Sequence, residues 1–444
     1  MRPPRLPALL STAALLLACG GHGSGSGSPS GSDDAGGTDA EPEAAPGDGG
    51  VTLDPAGNPP TSCAAPGGAS SNPPAVSEMA GVLDVTGRSF VVFGGDTAVP
   101  ICGPPPTDVF AGDTYVLDVG CVTWTKSSGG PSARARHAMT LDPGANRAVL
   151  FGGQYSANGT TYEDYADVWA FDFASSSWSQ IQTTGTAPSP RVNTATTVDP
   201  GSNRLVVFGG NASTDPFTLK PQSDTWTLDL GTGAWTQVAA TGTKPPARQF
   251  HEMAVDPDGE VAYVFAGAGA NAFTGSFFSD VWALDLTQNT WQEVTTTGTG
   301  PGGRIEGALV FDRVAKRLLA FAGHDDGAIG NENDLFALDV TQSPAVWSKL
   351  PPGDTPGKPA TGTCSFPPDF TSEDKSAPER RSELAYAPRV DGRAFIVFAG
   401  AGDCGLMADT WWWADGAGAW TNVQPSPVGL SCERVQTSCT SLCN

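Results

Sequence analysis

The chain has 444 residues, of which 47 are Asp or Glu and 24 are Lys or Arg, so its formal net charge is −23. A balance this acidic disfavours nucleic acid and anionic lipid surfaces as partners, because like charges repel. It is compatible with sugars, cations or a basic protein.

The first 18 residues predict an export signal. Arg2 and Arg5 precede the short apolar run ALLSTAALLLA, which ends directly before Cys19. A basic start, an apolar stretch and a small residue at the cut are typical of a signal peptide. The string from Leu16 to Cys19 resembles the bacterial lipobox, which implies that Cys19 becomes the lipidated first residue of the mature chain. The alternative is an ordinary secretory signal, and with either one the chain leaves the cytoplasm.

Residues 19–74 predict a flexible acidic tether. The segment consists mainly of Gly, Ser, Pro, Ala and Asp, and the first basic residue after Arg5 is Arg88. Such a composition buries too little apolar surface to order itself. No later apolar run approaches the roughly 18 residues of a membrane-spanning helix, so the lipid anchor is the only membrane contact expected. The sequence therefore predicts a lipid-anchored protein of the bacterial cell envelope, at the outer membrane or the cell surface.

Residues 75–424 contain six copies of one pattern about 57 residues long. Each copy has an apolar phrase such as RLVVFGG, then a segment such as DTWTLD, and then a closing tryptophan. A fixed period of this size is typical of a propeller or a solenoid. The shared phenylalanines are Phe93, Phe151, Phe208, Phe265, Phe321 and Phe398, and the closing tryptophans are Trp124, Trp178, Trp235, Trp291, Trp347 and Trp420.

Each copy divides into four short segments rich in Val, Phe, Trp, Leu and Thr, with turn formers such as DPGSNR between them. This pattern predicts four antiparallel strands, called A to D from the inside to the outside of a blade. Four-stranded sheets repeated around an axis leave few exposed edges. The sequence therefore predicts an all-β, six-bladed β-propeller, followed by a Cys-rich C-terminal tail at residues 425–444.

The details of the pattern resemble the Kelch repeat. Paired glycines follow strand B, an aromatic residue lies in strand C, and the closing tryptophan comes about 25 residues after the glycines. The resemblance covers residues 75–424 and implies a propeller of Kelch type. In copies 4 to 6, Ala266, Ala322 and Ala399 replace the first glycine, which affects only the local turn.

In a Kelch-like blade the D–A and B–C connections open on one face of the propeller, called the loop face here. The B–C connections are long and all different, whereas the C–D turns are short. Variable loops on a rigid scaffold commonly carry binding function. We expect the loop face to bind a protein or a glycan, with Tyr155, Tyr162 and Phe277 among the contact residues.

An arginine precedes the shared phenylalanine by 17 residues in five of the six copies. Two interpretations are open. The arginines could form a basic ring that binds an anionic group, since a guanidinium recognises carboxylates with two hydrogen bonds. Alternatively, each could pair with an acid or a carbonyl of its own blade. The arginines are Arg134, Arg191, Arg248, Arg304 and Arg381.

An enzyme is the second functional hypothesis. Galactose oxidase carries copper on a Kelch propeller, and such a site needs imidazole or phenolate ligands that converge on the metal. This chain has only four histidines, and no set of its residues resembles that copper site. We therefore expect no metal or cofactor. A sugar mutarotase of six Kelch blades is the nearer parallel, because Arg and Glu residues are available at the channel mouth for acid–base chemistry. No catalytic residue is assigned, and fold alone does not give function.

The cysteines beyond Cys19 number eight and avoid the middle repeats, which predicts disulfides in an oxidising compartment rather than a metal site. Cys364 and Cys404 lie in connections that open on the loop face, so we expect them to pair. The same reasoning pairs Cys63 with Cys102. Cys121 lies in a C–D turn on the opposite face and is expected to pair with a cysteine of the tail. The tail cysteines are Cys432, Cys439 and Cys443.

Overall fold

The computed structural model describes residues 53–63, 70–98, 108–215, 218–272, 276–325, 330–354, 374–402 and 405–426. The predicted signal, Cys19 and the cysteines of the tail lie outside the described residues. Within the described residues no helix is long and apolar enough to cross a membrane.

The strands form six small sheets, one for each sequence repeat. Blade 1 comprises β1 (Ala80–Leu83), β2 (Ser89–Phe93), β3 (Thr114–Asp118) and β4 (Thr123–Ser127). Blade 2 comprises β5 (Ala138–Asp142), β6 (Arg147–Phe151), β9 (Val168–Asp172) and β10 (Ser177–Ile181), with β7 (Gln154–Tyr155) and β8 (Glu163–Asp164) in its B–C connection. Blade 3 comprises β11 (Ala195–Asp199), β12 (Arg204–Phe208), β13 (Thr225–Asp229) and β14 (Trp235–Gln237).

The last three blades carry additional short strands. Blade 4 comprises β15 (Thr241–Gly242), β16 (Glu252–Asp256), β17 (Val261–Phe265), β18 (Val281–Asp285) and β19 (Thr290–Glu293). Blade 5 comprises β20 (Thr296–Gly298), β21 (Arg304–Ile305), β22 (Ala308–Asp312), β23 (Arg317–Asp325), β24 (Asn331–Asp339) and β25 (Ala345–Leu350). Blade 6 comprises β26 (Ala385–Pro388), β27 (Ala394–Gly402), β28 (Gly405–Ala414) and β29 (Ala419–Gln424).

The four main strands of each blade follow one another along the chain and pair antiparallel from the channel outward. The inner strands β1, β5, β11, β16, β22 and β26 contact one another in sequence around a central channel, and β26 closes the circle against β1. The prediction of a six-bladed Kelch-type propeller with four antiparallel strands in each blade is therefore confirmed.

The repeated phenylalanines and tryptophans join each blade to its neighbour. Each closing tryptophan packs its ring against the strand B phenylalanine of the preceding blade, with ring centroids 4.6–5.6 Å apart. Burial of such large rings stabilises every interface between blades. The pairs are Phe93–Trp178, Phe151–Trp235, Phe208–Trp291, Phe265–Trp347, Phe321–Trp420 and, across the junction of blades 6 and 1, Phe398–Trp124.

The D–A connections cover the outer edges of two blades, which the sequence did not indicate. β15 leads into blade 4 and pairs parallel with the outer strand β19, and β20 pairs in the same way with β25 of blade 5. An uncovered outer strand would expose a row of unpaired backbone groups. The connections therefore protect these blades at the rim.

Residues 53–63, called the strap here, lie against the propeller rather than in a free tether. The indole of Trp412 in blade 6 donates to the Gly57 carbonyl at 2.8 Å, and Gly416 of that blade donates its backbone N–H to Ala56. The tether prediction for residues 19–74 is thus wrong for the strap. Low hydrophobicity did not prevent ordering, because backbone hydrogen bonds and a covalent bond hold this segment.

The covalent bond joins Cys63 to Cys121, with 4.6 Å between their Cα atoms. The predicted pairing of Cys63 with Cys102 is therefore wrong, and so is the assignment of Cys121 to a tail cysteine. The reason is the path of the strap, which passes the A–B and C–D turns of blade 6 and reaches the C–D turn of blade 1 on the face opposite the loops. Cys102, Cys364 and Cys404 lie outside the described residues, and the pairing of Cys364 with Cys404 stays a prediction.

Candidate binding site at the channel mouth

The five repeated arginines form ion pairs within their own blades. Each forms an ion pair of 2.6–2.8 Å with the first aspartate of the DTWTLD-type segment. Each also donates to the carbonyl of the residue after the shared phenylalanine at 2.8–3.0 Å. The ion pairs are Arg134–Asp167, Arg191–Asp224, Arg248–Asp280, Arg304–Asp334 and Arg381–Asp409.

These arginines do not form the predicted anion-binding ring. Their side chains are only 0–5% exposed, so a ligand in the channel cannot reach the guanidinium groups. Burial raises the pKa of Asp224, but the hydrogen bonds from Arg191 and the Trp226 indole outweigh it, and the pKa is lowered. The second interpretation, pairing within the blade, is correct, because a buried guanidinium needs a fixed counter-charge.

The channel mouth is formed instead by the residue two positions after each arginine or its blade 1 counterpart. All six have left-handed backbone angles, with φ between 53° and 60°. Each donates its backbone N–H to the carbonyl of the equivalent residue in the preceding blade at 2.9–3.1 Å, which closes a ring of six hydrogen bonds. We call this set the mouth ring. Its members are Glu78, Arg136, Asn193, Phe250, Glu306 and Glu383.

The side chains of the mouth ring line the central channel and are half-buried. The Arg136 guanidinium donates to Glu78 at 2.7 Å. Within the described residues, neither Glu306 nor Glu383 forms a salt bridge, whereas Glu78 does. The mouth therefore carries three carboxyl groups and one guanidinium, an excess of acidic groups.

Burial and mutual repulsion disfavour ionisation of these carboxyl groups. Burial raises the pKa of Glu78 to about 8, although the Arg136 charge opposes the rise. Burial, followed by the charges of Glu383 and Glu78, raises the pKa of Glu306 well above its usual value. Glu78, Glu306 and Glu383 line one channel, and the charge of each disfavours ionisation of the others.

A carboxyl–phenol pair spans the channel wall beside the mouth ring. Glu252 begins β16 of blade 4, and the Tyr386 hydroxyl on β26 of blade 6 donates to its carboxylate at 2.8 Å. Burial raises the pKa of Glu252 to about 8, against the effect of this hydrogen bond. Burial also raises the pKa of Tyr386 well above its usual value.

The channel encloses a cavity of about 480 Å³, within the range of small-ligand sites. Apolar side chains of the inner strands, such as Met139, Leu309 and Phe311, make up much of its wall. Thr196 also lines the channel; it is 9% exposed, and its hydroxyl has no hydrogen-bond partner. The cavity therefore offers an apolar wall with a few polar groups and an acidic entrance.

Aromatic side chains cluster beside this entrance. Phe110 lies 5.9 Å from Tyr155 and 6.4 Å from Tyr162, measured between ring centroids, and the Tyr162 hydroxyl donates to Asp108 at 2.7 Å. We call Phe110, Tyr155 and Tyr162 the aromatic patch. The structure thus brings together two of the three predicted aromatic contact residues. Phe277 lies in the B–C connection of blade 4, two blades from the patch.

The histidines at the repeat positions are structural. His137 and His251 are buried and stack edge-on against Phe93 and Phe208, with centroids 5.5 and 5.4 Å apart. Burial lowers the pKa of both to about 3, so they are neutral. Within the described residues no three His, Cys, Asp or Glu side chains are placed to share a metal ion.

The mouth ring was only partly visible in the sequence. Glu306 stands out as an acid close to an arginine, but Asn193 and Phe250 carry no shared signal. The column two residues after the arginine reads Glu, Arg, Asn, Phe, Glu and Glu. A repeat search looks for sameness, whereas this column is constant in backbone angle and variable in side chain.

The chain belongs to the Kelch-repeat family. The sequence profile described as the KLHDC2/KLHL20/DRC7 Kelch-repeats domain matches residues 61–256 and 201–443, which together span most of the chain. The family is therefore established by sequence as well as by the architecture of the blades.

Several curated proteins share part of this sequence. A putative adagio-like protein 2 of rice is 27% identical over 53% of this chain and 36% of its own length. Human leucine-zipper-like transcriptional regulator 1 is 28% identical over 49% of this chain and 24% of its own. Acyl-CoA-binding domain-containing protein 5 of Arabidopsis thaliana is 29% identical over 44% of this chain and 30% of its own. The chain thus matches only about a quarter to a third of each relative.

A solved structure shares the fold. The structure of YjhT superposes with a TM-score of 0.52, covering 77% of this chain and 95% of that one at 14% sequence identity. An identity this low speaks for the propeller architecture alone.

Proposed function

We propose that the protein is a binding or interaction scaffold of the bacterial cell envelope, and that the loop face with the channel mouth is its binding surface. The observation that carries this proposal is the mouth ring: six positions share one backbone geometry but present four different side-chain types. A fixed frame with variable side chains is the arrangement by which a repeat scaffold acquires a specific ligand. Membership in the Kelch-repeat family supports a binding role.

Photo-crosslinking tests this assignment of the surface. A benzophenone amino acid replaces Tyr162 of the aromatic patch in the full chain, expressed in its own bacterium. The matched control places it at Thr232, exposed in the C–D turn of blade 3 on the opposite face. We expect a discrete adduct, with a protein or a glycan, from position 162 alone. Adducts of equal yield from both positions would contradict a dedicated loop face.

The location in the envelope is part of the same proposal. The signal-like first 18 residues and the lipobox-like string ending at Cys19 support it, and the Cys63–Cys121 disulfide fits an oxidising compartment. We expect acyl-labelled protein in the membrane fraction, and soluble, unlabelled protein from the Cys19→Ser variant. Acyl labelling that survives this substitution would rule out the anchor.

Sugar-processing catalysis at the channel mouth is the second candidate function. The raised pKa of Glu252, to about 8, and its hydrogen bond to Tyr386 favour it, because carboxyl groups with shifted pKa values in a cavity are suited to proton transfer. Mutarotation of aldoses by the full chain, abolished in Glu252→Gln, would support catalysis. The galactose-oxidase parallel has less support, since His137 and His251 are buried against aromatic rings.

A further inference from the structure

Two buried polar groups in the channel, one in the mouth ring and one on the wall, lack hydrogen-bond partners. One carboxylate oxygen of Glu78 is bound by Arg136 at 2.7 Å, whereas its second oxygen is buried without a partner. Thr196, on the channel wall, is also buried and unpartnered. Buried polar atoms in native proteins are rarely left unsatisfied. When Glu78 is ionised, its free oxygen requires a hydrogen-bond donor, and the Thr196 hydroxyl can accept one as well. The geometry therefore favours a ligand that donates hydrogen bonds at this entrance.

The charged groups at the entrance indicate the sign of the charge that such a ligand carries. Glu306 faces Glu383 and Glu78 of the ring, Arg136 across the channel and Glu252 on the neighbouring inner strand. The other charged or titratable groups that interact with the ring are Asp96, Asp108, Asp164 and His324. Carboxyl groups outnumber the basic groups around the entrance, which disfavours an anion. A cation that arrived among them would relieve their mutual repulsion in an environment where charges interact more strongly than in water.

The surroundings select the shape of the ligand. The Phe250 side chain of the ring borders the entrance, which leads into the partly apolar cavity of about 480 Å³. Tyr162 of the aromatic patch lies close enough to Arg136 and Glu78 to interact with their charges. An ammonium group on an aliphatic stem matches both features, because the stem contacts the aromatic rings while the charge meets the carboxylates. A compact ammonium carries three donors for three converging carboxyl groups.

On these grounds we propose that the mouth ring binds a primary ammonium group on an aliphatic stem, as presented by a lysine side chain of a protein partner. This inference rests on the proposed function, since it names the chemistry of the partner at the same surface. Binding requires ionised carboxyl groups, so protons leave Glu78, Glu306 and Glu383 when the ammonium enters, and affinity rises with pH. Lysine itself stays charged across this range.

Calorimetric titration of the full chain at pH 8.5 tests the inference. The probe is a glycine pentapeptide with a central lysine, acetylated and amidated at its ends, and the matched control is the same peptide with its lysine Nε-acetylated, which removes the charge but keeps the stem. We expect the acetylated peptide to bind about tenfold more weakly or worse, and the lysine peptide to weaken between pH 8.5 and pH 6. Equal affinity for the two peptides, or no saturation by the lysine peptide, would overturn the proposal.

Protein variants locate the site. Glu306→Gln and Glu383→Gln each remove one charge from the mouth ring, and we expect each to weaken the lysine peptide by about fivefold or more. Glu293→Gln removes one charge from the exposed edge of β19 and leaves binding unchanged. An equal loss in Glu293→Gln would show attraction by net charge only, and preferential binding of calcium chloride would indicate a metal site instead. Crosslinking from position 162 without lysine binding would leave the scaffold function standing and refute this inference.

Discussion

Half-buried carboxyl groups at the mouth ring and Glu252 are costly residues for a fold to keep. When the pKa of a carboxyl group is raised in the folded state, ionisation of that group lowers the free energy of unfolding of the protein. The five arginines illustrate the opposite case, since each has a counter-charge at 2.6–2.8 Å. The repeated charges are thus neutralised within the blades, whereas three of the six positions of the mouth ring, the one column that varies, carry carboxyl groups with raised pKa values.

The pH dependence of stability follows from these residues. Glu78 and Glu252 have a folded pKa of about 8 against 4.5 in a free chain, so their contribution is fully present below 4.5 and is lost as pH rises towards 8. His137 and His251, with folded pKa values of about 3, contribute fully above 6.5. Between pH 6.5 and 8 the acids therefore dominate, and we expect the melting temperature to fall as pH rises.

Thermal melts of Glu252→Gln measure this effect at one residue. The amide still accepts the hydrogen bond from Tyr386 but does not ionise. Between pH 6.5 and 8, we expect the free energy of unfolding to fall by about 1–2 kcal/mol less in Glu252→Gln than in the wild type. Glu293→Gln, on the exposed edge of β19, should show the same pH dependence as the wild type. Identical slopes for wild type and Glu252→Gln would mean that this carboxyl group is not protonated in the fold.

Among the structural elements, the turn after the shared phenylalanine of strand B has a left-handed backbone angle and lies close to the next blade. Gly209 has a φ of 64°, and a Cβ there would lie 2.7 Å from the Arg248 carbonyl of the next blade. Ala266 occupies the equivalent place in blade 4 with a φ of 62°. Left-handed backbone costs a residue with a Cβ about 1–2 kcal/mol, so the glycine phrase is selected by backbone angle and by the close approach of blades.

Substitution at this turn gives opposite results in the two kinds of blade. We expect Gly209→Ala to destabilise the protein by about 1–2 kcal/mol, because strain and a close contact are added. The matched Ala266→Gly change relieves strain and leaves stability equal or higher. Chemical denaturation of the two variants is the measurement, and equal effects would contradict the role given to backbone angle.

The strands that were predicted correctly are those whose sequence pattern occurs in all six repeats. The apolar phrase gave strand B, the DTWTLD-type segment gave strand C, and the closing tryptophan gave strand D. The pairing of each arginine within its own blade remained one of two interpretations, because sequence spacing alone does not determine which side chains are in contact. The mouth ring and the strap escaped prediction since neither repeats: the ring varies in side chain, and the strap has the composition of a linker.

In the whole molecule, the strap reinforces the junction of blades 6 and 1 in addition to the contacts between the blades themselves. Each blade takes its four main strands from one continuous stretch, so within the described residues no strand of one chain end completes a blade of the other. Instead the strap contacts blade 6 and is bonded to blade 1 through Cys63–Cys121. The Trp124 indole of blade 1 also donates to Gln424 of blade 6 at 2.6 Å.

Loss of the Cys63–Cys121 disulfide should destabilise the junction of blades 6 and 1 more than the rest of the propeller. We expect Cys63→Ser to lower the free energy of unfolding by about 2–4 kcal/mol and to raise hydrogen exchange in blades 1 and 6 but not in blades 3 and 4. The neighbouring Ser62→Ala variant, which loses only a hydrogen bond of 3.4 Å from Arg88, is the control. Exchange that rises uniformly around the propeller would contradict a junction held by the strap.

We propose that this propeller binds a partner at its acidic channel mouth and not through its repeated arginines. A crystal structure of the full chain with the lysine pentapeptide at pH 8.5 tests it most directly. We predict the lysine ammonium nitrogen within about 4 Å of carboxylate oxygens of Glu306 and Glu383, with the five arginine–aspartate pairs intact. A peptide bound on the opposite face, or held by carboxylates that have left those arginines, would contradict the account.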